Sequence, residues 1–481
     1  MLSQLQNSSA RKIVLLEHLA TAPSRRPSWA GRRRRGSGKL CLSSQDALKS
    51  SIFRYRGVLQ LPLWKKYRLF LVLAGLFLIA KNFLYGSEFL TGNWNGSRQD
   101  AHEQGIDFFA AYANDLIGNP LGGKSHGFTN AGSLDTTLII DLERIAKIKG
   151  CTLFNSLSWR SGSSLSYKKI DNQFPVQQLY GGETYKLVEL YLQETLFKGH
   201  LNIKAGRLCA GNDFIASPLY LRYVTGAINS NPISVFYNAF FSTYPYATWG
   251  AYLDFRIRSF LFKFGVYNSN QKIWNNQYHG ANITFESQQG VMWISECTYL
   301  FTPQSHRNRL EGNYTIGGYY ITGKTAKFNT SQPSNNYGYY ILFDQMLYRN
   351  KKPKNDERLT SWGSLVLAPP DRNPFPIFFA AGLVYQGLFT SRPHDALCLG
   401  AAYGHYSSDL HKSVLAAKRK TLARLYGNQS QCSETDIELN YWLQATSWLT
   451  LTPVLQYIIT PSGKRSIPNA LVAGIQVGID L

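Results

Sequence analysis

The sequence predicts an all-β protein: a transmembrane antiparallel β-barrel of 16 strands with loops folded into its bore. Three observations predict it. From Ile106 onward apolar residues recur with period two rather than 3.6. Phe, Tyr and Trp total 67 of 481 residues, 14%. One face of the predicted strands carries outsized side chains such as Phe260, Phe262 and Phe264, which suits lipid better than an interdigitated sandwich core.

Composition excludes several alternatives. Charged residues are 17%, below the ~25% of ordinary soluble domains. A hydrophobic content of 44% excludes wholesale disorder, and six Cys are too sparse for a disulfide scaffold. The formal net charge of +22 is uneven. Residues 1–86 hold sixteen Lys and Arg against two acids, net +14; residues 87–481 hold 35 against 27, net +8.

The N-terminal fifth is read in two pieces. The apolar run Leu69–Ala80 is twelve residues, short of the ~20 that a spanning helix needs. It follows Lys65, Lys66 and Arg68 and precedes Gly86, the pattern of a secretory signal peptide over 64–86. Residues 1–63, with Arg32–Arg35, are expected to be a disordered basic extension produced by a start set too far upstream. A nucleic-acid-binding arm is the disfavoured alternative, so no nucleic-acid partner is expected. The working domain is then 87–481.

Within that domain the strands follow in order. In Lys186–Leu196, Val188, Leu190 and Leu192 share one face and Glu189, Tyr191 and Gln193 the other. A tight turn, Phe197–His200, leads to a strand with Leu201, Ile203 and Ala205 opposite Asn202 and Lys204. Trp249, Ala251, Leu253 and Phe255 alternate with Gly250, Tyr252, Asp254 and Arg256. Phe260 to Val266 continue the apolar set. The last strand alternates from Leu471 to Leu481, which stands in lipid phase. Thr322–Tyr337 and Arg349–Thr360 are read as polar connections. Sixteen strands of ~10 residues use ~160 positions and leave ample chain for eight long loops and seven short turns.

No enzyme chemistry emerges. HExxH and CxxC are absent, the six Cys (41, 151, 209, 297, 398, 432) lack metal spacing, and a site at His405 and His411 is improbable. No catalytic residue, metal or cofactor is expected. Gly118–Gly123 follows a strand but opens no helix, against a phosphate loop.

Four blocks carry a resemblance. The first is Leu90-Thr91-Gly92-Asn93-Trp94-Asn95-Gly96-Ser97-Arg98, then Gln104-Gly105-Ile106 and Asn114–Asn119 with Gly122-Gly123. The second runs Glu189–Glu194, Leu196–Gly199 and Gly206–Phe214. The third is Tyr244–Ala251 with Phe264–Asn268, and the fourth Trp448–Ile459 with Pro461 and Asn469–Leu471. Together they resemble the carbohydrate-selective porins, the OprB family. That resemblance implies a short N-terminal helix and a diffusion pore for small polar solutes, above all monosaccharides. Some relatives in that resemblance are assigned to arginine uptake, and a non-conducting adhesin or structural barrel is the reading from another class. Cys209 stands where the family usually has an acid, Leu481 where outer-membrane barrels usually end in Phe, and residues 1–63 have no counterpart.

The polar faces then nominate the pore lining: Arg160, Glu189, Tyr191, Gln193, Tyr252, Asp254 and Arg256. Arg207 and Asp213 join them from a Gly-rich bend expected to fold inward and narrow the bore. Aromatic faces stack on a sugar ring and charged groups hydrogen-bond its hydroxyls; the contacts must stay weak enough to release it. Expected partners are sugars or arginine, outer-membrane lipid and the barrel-assembly machinery, with a monomer and a trimer equally open. Trp94 and Arg98 are expected to pack the N-terminal helix rather than touch solute.

Overall fold

The structure is a computed structural model; it describes residues 88–239, 241–269, 278–281, 290–301, 310–350, 357–416 and 433–481. The expected signal peptide and basic extension lie outside these residues. Sixteen antiparallel strands close into one barrel, each paired with its sequence neighbours and β1 with β16. The first eight are β1 (Ile106–Leu121), β2 (Gly127–Asp141), β3 (Cys151–Gly162), β4 (Thr184–Leu196), β5 (Leu201–Leu208), β6 (Thr248–Ile257), β7 (Phe260–Asn268) and β8 (Val291–Phe301). The second eight are β9 (Gly312–Thr325), β10 (Ser334–Arg349), β11 (Arg358–Leu367), β12 (Ile377–Gln386), β13 (Ala396–His405), β14 (Ser433–Gln444), β15 (Leu449–Ile459) and β16 (Ala470–Asp480). Closure removes the free edges that an open sheet would expose.

Strand lengths depart from a uniform ten. β5 has 8 residues and β10 has 16. The stretches expected as long polar connections around 322–337 and 349–360 are therefore largely strand. Polarity misled there because a lumen-facing position is as polar as a loop. The two rims differ. On the rim where β1 starts and β16 ends, connections are short, down to the two residues 258–259. On the other, residues 163–183 and 209–247 are long and turn into the barrel.

Alternation decides which side chains face out. Leu399, Leu439 and Leu455 lie directly across from one another on β13, β14 and β15, exposed on the outer wall. Phe255, Phe262 and Phe264 stack outside β6 and β7, with centroids 5.2 and 6.1 Å apart from Phe255. Val188 was expected in this outward set and is not. Ser156 and Leu157, adjacent on β3, oppose Glu189 and Leu187, so Val188 is the extra residue of a bulge. Its side chain is fully buried with Cys209, Tyr244 and Ala247.

The segment before β1 is strapped to the end of β16. Leu90 N donates to Asp480 O at 2.8 Å and Leu481 N to Ala110 O at 2.9 Å. Helix α1 (Ser97–Glu103) begins later than the resemblance implied, because Trp94 and Asn95 hold left-handed backbone. The Arg98 guanidinium sits 3.8 Å over Phe89 and 4.3 Å over Trp94 and donates to Leu481 O at 3.1 Å. These contacts are the packing role expected of Trp94 and Arg98.

If the outer wall meets lipid, Leu399→Arg in mid-β13 destabilises the barrel by about 2–4 kcal/mol in a bilayer. Urea unfolding in lipid vesicles measures this. A change within experimental error would place that face away from hydrocarbon.

Candidate functional site

The bore is built by the segment 209–247, which leaves β5 and crosses the lumen. It includes two short helices, α2 (Ala210–Asp213) and α3 (Ile233–Asn238). A segment inside a barrel has no ladder to satisfy its amides, and each buried N–H must find an acceptor. The wall supplies carboxylates. Glu189 on β4 accepts from Cys209 N at 2.9 Å and from Asn212 Nδ2 at 2.9 Å. Glu296 on β8 accepts from Ile215 N at 2.6 Å, and Asp344 on β10 from the Ser217 hydroxyl at 2.9 Å. Glu438 on β14 takes Val224 N at 2.7 Å and Thr225 N at 2.6 Å, one on each oxygen.

The loop also docks through Tyr223. Trp362 Nε1 donates to its hydroxyl at 3.0 Å, and that hydroxyl donates to Leu399 O at 3.0 Å. Gly382 and Gly400 make the approach possible: a Cβ on either would stand 2.6 Å from Tyr223. The second inward segment, 163–183, is held likewise. Glu434 accepts from Gln173 N at 3.0 Å, from Phe174 N at 2.6 Å and from Ser462 N.

What stays open is a cavity of about 590 Å³ between the loop and the wall of β3–β7. Six of the nine nominated residues line it: Glu189, Tyr191, Gln193, Asp213, Tyr252 and Asp254. Phe154 and Tyr191 stack at 4.7 Å with planes 16° apart. Lys204 Nζ lies 2.6 Å from Asp213 Oδ1 and 4.9 Å over the Tyr252 ring. Asp254 accepts from Asn202 Nδ2 at 3.0 Å and from the Tyr252 hydroxyl at 2.9 Å. Lys263 Nζ bridges to Glu296 Oε2 at 3.1 Å.

Three nominated residues stand elsewhere. Arg160 is on the lumen side but sealed beneath segment 163–183. It bonds Asp135 Oδ1 at 3.3 Å and Leu179 O at 3.3 Å with its side chain out of solvent. Arg207 is opposite Leu190 and Trp249, both in the outward register, and Nε donates to Val188 O at 3.1 Å. The alternation Leu201, Ile203, Ala205 already pointed it outward. Arg256 is exposed at the rim, where Nε donates to Arg258 O at 3.2 Å.

Residues not nominated complete the site. Lys204, Asn202 and Lys263 were legible as lumen-phase polar positions. Phe154 was not, since an apolar lumen residue breaks the alternation, nor was Leu221, which only the path of the 209–247 loop brings to the cavity. Leu221 also lines a second cavity of about 190 Å³ with Tyr112, Asp135, Trp442 and Gln476. Beside it the Arg222 guanidinium lies 3.9 Å over the Trp442 ring; burial lowers its pKa. Burial, reinforced by Glu189, pushes the Cys209 thiol well above its ordinary range, so the residue in place of the family's acid is uncharged. No cluster able to hold a metal occurs among the described residues.

Comparisons with known proteins agree with this architecture. Porin B of Pseudomonas aeruginosa is 26% identical over 430 residues, covering 83% of this chain and 92% of that protein. The putative porin QuiX of Acinetobacter baylyi is 24% identical over 421 residues, covering 82% and 93%. The high-pH structure of Pseudomonas putida OprB shares the fold with TM-score 0.74 at 24% identity, over 83% of this chain and 100% of that one. A family model described as carbohydrate-selective porin, OprB family, matches residues 125–481. With most of its length matched, the chain belongs to the carbohydrate-selective porins of the OprB family.

Proposed function

We propose that the barrel lies in a bacterial outer membrane and passes neutral monosaccharides by diffusion along the cavity beside the 209–247 loop. The observation that carries this is the lining itself: the stacked Phe154–Tyr191 pair flanked by the compensated pair Lys204–Asp213. Aromatic faces suit the apolar side of a pyranose, and charged groups held at fixed positions hydrogen-bond its hydroxyls strongly. The six lining residues nominated from sequence are the contacts we assign to solute. Arg160, Arg207 and Arg256 brace the wall and rim instead.

Arginine is the weaker reading. A cationic solute needs carboxylates free to receive it. Glu189 already accepts from Cys209 N and Asn212, and Asp254 from Asn202 and Tyr252. The long-loop rim then faces the outside and the short-turn rim the periplasm, as in other such barrels. Export by a signal peptide over 64–86 and insertion by the barrel-assembly machinery follow from that location. We take the single closed barrel as the conducting unit, whether or not copies associate.

Liposome swelling tests the reading. Glucose enters readily, a large oligosaccharide does not, and glucose blocks single-channel current more strongly than arginine does. Absence of swelling with any solute would sink the porin reading, and stronger block by arginine would reverse the selectivity.

A second test addresses the loop. Glu438→Ala leaves the Val224 and Thr225 amides without their acceptor, at about 1–3 kcal/mol for each group left unpaired. The loop then loosens from β14, conductance rises and discrimination against larger sugars falls. Planar-bilayer recording decides; an unchanged conductance and size cutoff would mean that the carboxylate does not hold the constriction.

A further inference from the structure

The rim where β1 starts and β16 ends bears a pattern the pore does not use. Three adjoining turns, at 142–150, 197–200 and 258–259, are joined by backbone hydrogen bonds. Thr195 N donates to Gly150 O at 2.9 Å, and Arg256 N donates to His200 O at 3.0 Å. In each turn a basic residue holds left-handed backbone: Lys147 at φ 62°, Lys198 at 57° and Arg258 at 53°. Glycine or asparagine takes that conformation most readily, and other side chains take it at a steric cost. Three neighbouring turns therefore hold a cation where local geometry favours another residue.

Each of these cations adjoins a large apolar side chain open to the outside. Ile148 is 52% exposed, Phe197 75% and Ile257 55%. Lys147, Lys198 and Arg258 make no ion pair among the described residues. Two of the three nearby acids are engaged: Asp141 pairs with Arg144 at 3.2 Å and Glu143 accepts from Gly150 N at 2.8 Å, while Glu194 is exposed on β4. Across 141–150, 194–200 and 256–260, six Lys and Arg stand against three acids. A repeated unit of one cation beside one exposed apolar group matches the boundary between hydrocarbon and headgroup, where long basic side chains reach towards phosphate.

We infer that these three turns form a docking surface for anionic phospholipid headgroups. The surface lies in the leaflet at the short-turn rim and rests on the reading that the outer wall meets lipid. Exposed apolar groups contiguous with the lipid-facing wall select a lipid over a soluble anion, and the excess positive charge selects an anionic headgroup over a zwitterionic one. The cations stay hydrated at the tips while Ile148, Phe197 and Ile257 enter the acyl boundary.

The test uses the purified full chain, titrated with phosphatidylglycerol or phosphatidylcholine and read by native mass spectrometry. The wild type retains phosphatidylglycerol more tightly, by about five-fold for each basic residue engaged. The triple variant Lys147→Gln/Lys198→Gln/Arg258→Gln retains both lipids equally and still supports glucose swelling. The far-rim variant Lys124→Gln/Lys168→Gln keeps the preference. Equal retention by the wild type, a preference that survives in the triple variant, or an equal loss in the far-rim variant would each overturn the proposal. Swelling is read separately, so a chain that binds lipid selectively but does not conduct would count against the porin reading alone.

Discussion

The pore depends on one pairing: a wall carboxylate accepting hydrogen bonds from the backbone amides of a loop inside the barrel. A closed barrel pairs the groups of its own ladder, so the wall's backbone offers an inserted segment little beyond a carbonyl's second lone pair, as Leu399 O does to the Tyr223 hydroxyl. Side chains supply the rest. Glu189, Glu296 and Glu438 do so from three sides of the barrel, and Asp344 adds the Ser217 hydroxyl. The loop is thus tied at several points around its path. Its course fixes where the bore is filled and where the cavity beside Tyr191 and Lys204 stays open.

That use of acids shapes selectivity. A carboxylate holding two backbone amides is a poor receptor for a passing cation, because engagement would cost the loop its anchor. The charges that remain in the main cavity are largely paired, as Lys204 is with Asp213 and Lys263 with Glu296. Such a lining offers donors and acceptors without strong net attraction for either sign. A neutral, hydroxyl-rich solute fits it better than an ion.

Much of this was legible in the residues. Alternation in β4 to β7 and β16 located wall and lumen, and the polar phase of β4 and β6 supplied Glu189, Tyr191, Gln193, Tyr252 and Asp254. The misses have separate causes. Val188 sits at a bulge, which shifts the phase by one residue and leaves no composition signal. Arg160 has the correct phase, but only the tertiary path of 163–183 shows that it is covered. Arg207 was drawn inward by its neighbourhood in a Gly-rich bend against its own alternation. The strands were longer than expected because polar lumen positions near the rims look like loop. What pattern cannot show is which side of a wall residue a distant loop occupies.

The same chemistry accounts for where the charge lies. A buried loop presents many N–H donors, and an ionised or neutral carboxyl accepts them, whereas Lys and Arg offer only donors. Acids are therefore drawn into the barrel and bases can serve there only beside an acid or over a ring, as Lys204, Arg160 and Arg222 do. The remaining bases collect where water or headgroups can solvate them. The excess of 35 basic over 27 acidic residues in 87–481 then need not mark a polyanion-binding pore. Sorting by hydrogen-bond role places acceptors against the loop and leaves cations, Lys147, Lys198 and Arg258 among them, at the rim.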